Sequence, residues 1–78
     1  MKSGGEKMNG LIVNKVKGYR NMLGLSQTEM AKLIGISSKQ VYSQKENNKN
    51  PFNDDEKKRF KEVLEQYFPD ITIDDIFF

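Results

Sequence analysis

The chain contains no cysteine and no histidine. Without cysteine there are no disulfides and no thiolate metal ligands. With both residues missing, the usual Cys/His zinc sites are excluded, and so is catalytic machinery that needs an imidazole base. Carboxylates are present, but none stands in a recognisable acid/base constellation, so neither an enzyme nor a metal or other cofactor is expected. Long apolar runs are also missing. No segment has the length or apolarity of a membrane span, so no membrane partner is expected, and the absence of cysteine fits a reducing, cytoplasmic setting. Residues 1–7 carry Lys2, Lys7 and two glycines with no apolar core behind them, unlike a signal peptide. Residues 1–10 read as a flexible tail and residues 11–78 as one domain. A chain of this size buries only about 60% of its unfolded surface on folding, which leaves room for a partner chain to matter.

Charge is present but unevenly spread. Residues 1–50 hold nine Lys/Arg against three Asp/Glu, and residues 51–78 hold four against eight. A basic front half and an acidic back half give the folded molecule two electrostatic faces, and the basic one suits a phosphate backbone.

The apolar spacing predicts an all-α fold of five helices with short connections. Leu11, Ile12, Val13, Val16, Tyr19, Leu23 and Leu25 mark the first, closed by Gly24, with Gly18 inside it as a point where another helix approaches closely. Ser26-Gln27-Thr28-Glu29 is a capping box that opens the second, with Met30, Leu33 and Ile34 as its buried stripe and Gly35 at its end. Ser37-Ser38-Lys39-Gln40 reads as another capping box, opening a third helix anchored by Val41. Asn47, Asn48, Asn50 and Pro51 break the pattern. The fourth helix begins near Asn53 with Asp54, Asp55 and Glu56 in its first turn, where the helix dipole favours carboxylates. Its apolar face is Phe60, Val63, Leu64, Tyr67 and Phe68. A last turn from Thr72 carries Ile73, Ile76, Phe77 and Phe78.

The second and third helices stand one glycine turn apart, and their residues have an internal logic. Ala31 falls where two steeply crossed helices touch, and Gly35 where the turn needs a positive φ. Met30, Ile34, Ile36 and Val41 fall where side chains face inward. Such a pair lets its second helix enter a major groove while the first crosses the backbone.

The run Leu25-Ser26-Gln27-Thr28-Glu29-Met30-Ala31-Lys32-Leu33-Ile34-Gly35-Ile36-Ser37 resembles the Cro/repressor-type, or XRE, helix-turn-helix family. Lambda-type phage repressors belong to it. The likeness reaches back to Arg20 and forward through Asn50-Pro51 to Ile73-Asp74-Asp75-Ile76-Phe77. It implies a compact five-helix, lambda-repressor-like DNA-binding domain over residues 11–78, with helices two and three as the reading unit and residues 38–46 in the major groove. It implies base contacts from Ser38, Lys39, Tyr42 and Ser43, and backbone contacts from Gln27, Gln40, Asn47, Asn48 and Lys49. The function implied is a sequence-specific transcriptional regulator of bacterial or phage type. Its partner would be double-stranded DNA, as a palindromic operator bound by a homodimer, with no small-molecule ligand. The alternative is a protein-interaction module, such as an antitoxin or anti-repressor, that kept the fold.

One departure bears on the roles. The family places an apolar residue three after the Val41 position and a glutamate next, paired with an arginine at the Arg20 position. Here Gln44 and Lys45 stand there, and the glutamate follows as Glu46, so either Arg20 reaches Glu46 by a shifted path as a structural ion pair or it stays partly free. Either the third helix is rotated near its end, or the correspondence slips by one residue within it. In the slipped case Tyr42 turns inward and the stem of Lys45 covers the core. Asn48 replaces the glycine of the loop and tolerates left-handed backbone. The ending Ile71, Ile73, Ile76, Phe77 and Phe78 is too apolar for so short a chain to bury entirely. Ile73, Ile76, Phe77 and Phe78 are therefore the expected dimer surface.

Overall fold

A computed structural model describes residues 14–78. The expected tail over residues 1–10, and the expected helical residues Leu11, Ile12 and Val13, lie outside the described residues. The described residues form five helices: α1 (Lys15–Met22), α2 (Gln27–Ile34), α3 (Lys39–Glu46), α4 (Asp54–Glu65) and α5 (Ile73–Phe77). Each boundary has a local cause. Asn14 caps α1 by accepting from the Lys17 amide. The Leu23–Gly24 turn ends α1, with Gly24 at φ +71°. Ser26 and Glu29 form the capping box of α2, and Gly35 at φ +87° closes it. Asn53 and Glu56 form a box on α4, and Thr72 and Asp75 one on α5. Each satisfies amides that the helix itself leaves unpaired.

The core is built on Met30, Ile34, Tyr42, Phe60, Leu64 and Ile76, each at most 1% exposed. α2 packs on both α3 and α4, while α5 packs on α1 and α4. Ala31 is buried where α2 meets its neighbours. Phe52, from the loop before α4, joins Tyr42, Phe60 and Phe77 edge-to-face and closes the bottom of the core.

Several expectations are overturned. α3 begins after Ser38, whose hydroxyl accepts from the Val41 amide at 3.3 Å, so no capping box forms between Ser37 and Gln40. The buried side of α3 differs from the expected one as well. Tyr42 is fully buried and not a base contact, whereas Val41, the expected anchor, is 40% exposed. Leu33 is also half exposed, at the edge of the stripe formed by Met30 and Ile34. No described atom outside its own helix lies within 4 Å of the position a Cβ would take at Gly18, so none of the described helices approaches closely there. Finally, Ile76 is core and cannot be dimer surface, because α5 turns it toward α1 and α4. Phe77 is half buried against Phe52 and Phe60, and Ile73 is half buried. Phe78 remains open, with the Lys57 ammonium 5.2 Å from its ring.

Candidate nucleic-acid interface

The inner side of α3 is fixed by a buried charge. Glu46, at its last turn, is 2% exposed and receives hydrogen bonds from three other side chains. Arg20 of α1 donates through Nε to Oε1 at 2.8 Å and through Nη2 to Oε2 at 3.1 Å. Gln27 of α2 donates to Oε2 at 3.0 Å, and the Tyr42 hydroxyl to Oε1 at 3.0 Å. Arg20 also donates from Nη1 to the Leu25 carbonyl, and Asn14 donates to the Glu46 carbonyl. One carboxylate thus joins α1, α2 and α3.

The ionisation of the cluster follows from this geometry. Burial works to raise the Glu46 carboxyl, but donors from Arg20, Gln27 and Tyr42 outweigh it and hold Glu46 below its ordinary range. The hydrogen bond to Glu46 raises Arg20 despite burial. Burial, followed by the charge of Glu46, pushes the Tyr42 phenol well above its ordinary value. Both charges are therefore held in their ionised forms, and the phenol stays neutral to serve as a donor.

With Tyr42 and Glu46 turned in, the opposite side of α3 presents Lys39, Gln40, Ser43, Gln44 and Asn47. Together with Gln27 and Lys49 they line a shallow concavity of about 600 Å³ between α3 and the start of α2. No carboxylate lines it. Two lysines and a helix N-terminus therefore set its electrostatic sign, which favours an anion. The loop after α3 is shaped by its asparagines. Asn48 adopts φ +64°, the Lys49 amide bonds the Gln44 carbonyl at 2.8 Å, and Asn50 donates to the Gln44 side-chain oxygen at 3.0 Å. The last contact leaves the Gln44 amide nitrogen as its free donor end.

Lys39, Gln40, Ser43, Asn47 and Lys49 thus share one surface, and Asn48 is exposed beside it. Ser38 stands apart, half buried as the cap of α3. Gln27 lines the surface but spends its amide on Glu46. Gln44 belongs to the same surface and went unassigned. The signal for it lay in the spacing of Tyr42 and Glu46. Residues four apart share a helical face, so a buried Arg20–Glu46 pair requires Tyr42 inside and Gln44 outside.

Residues 16–56, more than half of the chain, match the helix-turn-helix family model HTH_3. The chain belongs to the Cro/repressor-type (XRE) helix-turn-helix family. The matched stretch of this XRE protein runs from Val16 in α1 to Glu56 in α4 and so takes in every side chain bonded to the Glu46 carboxylate, and the concavity. XRE domains are DNA-binding domains. No curated protein and no solved structure matches the chain. Among the described residues no helix is long and apolar enough to cross a membrane.

Proposed function

We propose that this XRE protein is a transcriptional regulator that binds double-stranded DNA sequence-specifically, with α3 in the major groove. The observation that carries the reading is the division of α3 into two sides. The inner side is locked to α1 and α2 through Glu46. The outer side offers Lys39, Gln40, Ser43, Gln44 and Asn47 and no acid. Lysine donates to guanine O6 and N7, and glutamine pairs bidentately with adenine. Lys39, Gln40 and Gln44 are therefore the base-reading residues. Asn48 and Lys49 face phosphates after the helix, and the α2 N-terminus at Gln27 faces another. Val41, exposed on the flank of α3, adds methyl groups of the kind that meet a thymine methyl. Affinity comes chiefly from phosphates and selectivity from α3. Bound as a homodimer, two copies of α3 would lie about 34 Å apart on a palindrome.

The test is selection of bound sites from random duplex DNA, followed by a salt titration on the selected site. The expected result is one enriched sequence with two-fold symmetry and a steep loss of affinity as salt rises. Binding that is sequence-blind and salt-insensitive would overturn the reading and point to a protein partner for the same surface.

A further inference from the structure

Two glutamines, Gln40 and Gln44, stand on the outer side of α3, and the second is held from outside the helix. Asn50, in the loop after α3, donates from Nδ2 to Gln44 Oε1 at 3.0 Å. The backbone brings the two side chains together. The Lys49 and Asn50 amides both reach back to the Gln44 carbonyl, at 2.8 and 3.4 Å. Asn48, at φ +64°, makes the left-handed turn that allows this. Two further features keep Asn50 in place. Pro51 follows it, and the residue before a proline is steered toward extended backbone. Phe52 comes next and is buried in the core. The loop is therefore anchored on both sides of Asn50, within two residues of it.

The bond has one chemical sense, because an amide nitrogen donates and does not accept. Gln44 Oε1 is turned to the loop, and Nε2, on the other side of the amide carbon, faces away from it. Gln44 is only half buried, so that nitrogen is open to a ligand. A glutamine free to turn offers a donor and an acceptor together, the pattern that matches adenine N6 and N7. A glutamine held by its oxygen offers a donor alone. The matching base edge carries acceptors and no donor. Guanine presents two such acceptors, O6 and N7, and thymine one. Gln40 lies four residues earlier on the same side of α3. It has no such partner among the described residues and keeps both ends of its amide for adenine.

We propose that Asn50 is a positioning residue that sets base choice: by holding Gln44 Oε1 it makes Gln44 a reader of guanine and not of adenine. The inference rests on the reading of α3 as the helix that enters the major groove. The same bond orders a long side chain before DNA arrives, so less of it has to be immobilised on binding.

Selection of bound sites from random duplex DNA, run on the full chain and its variants, tests this. The parent should enrich guanine at the position whose preference disappears in Gln44→Ala. Asn50→Asp reverses the sense of the bond. Aspartate only accepts, so Gln44 has to turn Nε2 to the loop and show Oε1 to the groove. Guanine should then give way to cytosine, whose N4 donates, with the ratio of the two affinities moving roughly tenfold. Gln44→Glu should reach the same cytosine by another route, since a carboxylate accepts from Asn50 and from N4 alike. The added negative charge weakens binding of both variants to every sequence, so the readout is the ratio between sites. Asn50 is exposed, and Asn50→Asp should unfold at about the parent's temperature. A merely structural role for Asn50 would lower affinity for all sites and leave the selected base unchanged, and that result overturns the proposal. So does adenine at this position in the parent, which would mean that Gln44 pairs bidentately despite Asn50. In either case an enriched site leaves the DNA-binding reading standing. A parent that enriches no site at all overturns both.

Discussion

Helices α2 and α3 are each eight residues long and each begins after a serine cap, yet they are held by different chemistry. α2 buries an apolar stripe of Met30, Ala31 and Ile34. α3 buries one aromatic ring and one carboxylate, Tyr42 and Glu46, and leaves its valine outside. Apolar burial is non-directional, so a stripe settles which side of a helix faces in but leaves its rotation soft. Hydrogen bonds to a fixed carboxylate restrict rotation directly. A helix with a largely polar outer side has few positions to spare for apolar contacts, and here the polar cluster around Glu46 takes over the task of aiming it.

The comparison breaks first at Glu46. Glu46→Ala leaves Arg20 buried without its partner and should cost about 3–5 kcal/mol. That rivals Met30→Ala in the stripe of α2, expected at about 2–5 kcal/mol. Against a typical total of about 5–15 kcal/mol, either change is severe, and urea unfolding measures both. The two sites should part when both partners are replaced. Arg20→Met with Glu46→Leu removes the charge pair together and should recover most of the stability. It should not recover discrimination between selected and random DNA, because nothing directional then sets the rotation of α3. Full recovery of both would show that packing alone aims the helix.

Next in size is Tyr42→Phe, which deletes the hydroxyl that donates to Glu46 and should cost about 1.5 kcal/mol. It also separates two branches of pH dependence. The folded Tyr42 phenol titrates above its ordinary value of 10.0. Its stabilising contribution is therefore complete below about pH 10 and is lost as pH rises beyond it, where only the unfolded chain ionises. The folded Glu46 carboxyl titrates below its ordinary value of 4.5, so its contribution is present above that pH and lost as pH falls through it. Thermal unfolding across pH should show both losses in the parent. Tyr42→Phe should lack this alkaline loss and keep a shallower acid one, whereas Met30→Leu in α2 should keep both.

The same contrast explains what the amino-acid sequence discloses. In α2 every signal agrees: the Ser26–Glu29 box, the spacing of Met30 and Ile34, Ala31 at the crossing and Gly35 in the turn. Periodicity reads such an element because its buried residues are apolar. In α3 the buried residues are a phenol and a carboxylate, and the most apolar residue, Val41, is on the outside. Hydropathy there points the wrong way, to Val41 as the anchor, and the family likeness places Tyr42 in the groove by the same register. The pair Arg20 and Glu46 was legible, and carrying its geometry one step further places Tyr42 inside. At α5 the apolar run was legible but its destination was not. Burial of Ile76 depends on how α5 lies across α1 and α4, which no local pattern states. The Ser37–Gln40 spacing predicts a cap at Ser37, whereas Ser38 holds it, so the choice between the two neighbouring serines is not settled by the local pattern.

That choice yields the smallest effects. Ser26 sits in a reciprocal box with bonds of 2.8 and 3.0 Å, so Ser26→Ala should cost about 1 kcal/mol. Ser38 makes a single longer bond of 3.3 Å, and Ser38→Ala should cost nearer to 0.5 kcal/mol, roughly the low end for a cap. Ser37 is exposed and precedes the cap, so Ser37→Ala should stay within about 0.5 kcal/mol of the parent. Thermal unfolding of the three variants ranks them. The order of Ser37 and Ser38 matters more than its size suggests. Each residue in a helix turns about 100°, so moving the cap from Ser38 to Ser37 goes with exchanging Tyr42 for Val41 at the core. If Ser37→Ala proves the costlier of the two, α3 starts one residue earlier, Glu46 loses its alignment with Arg20, and the outer side proposed to read DNA has to be redrawn.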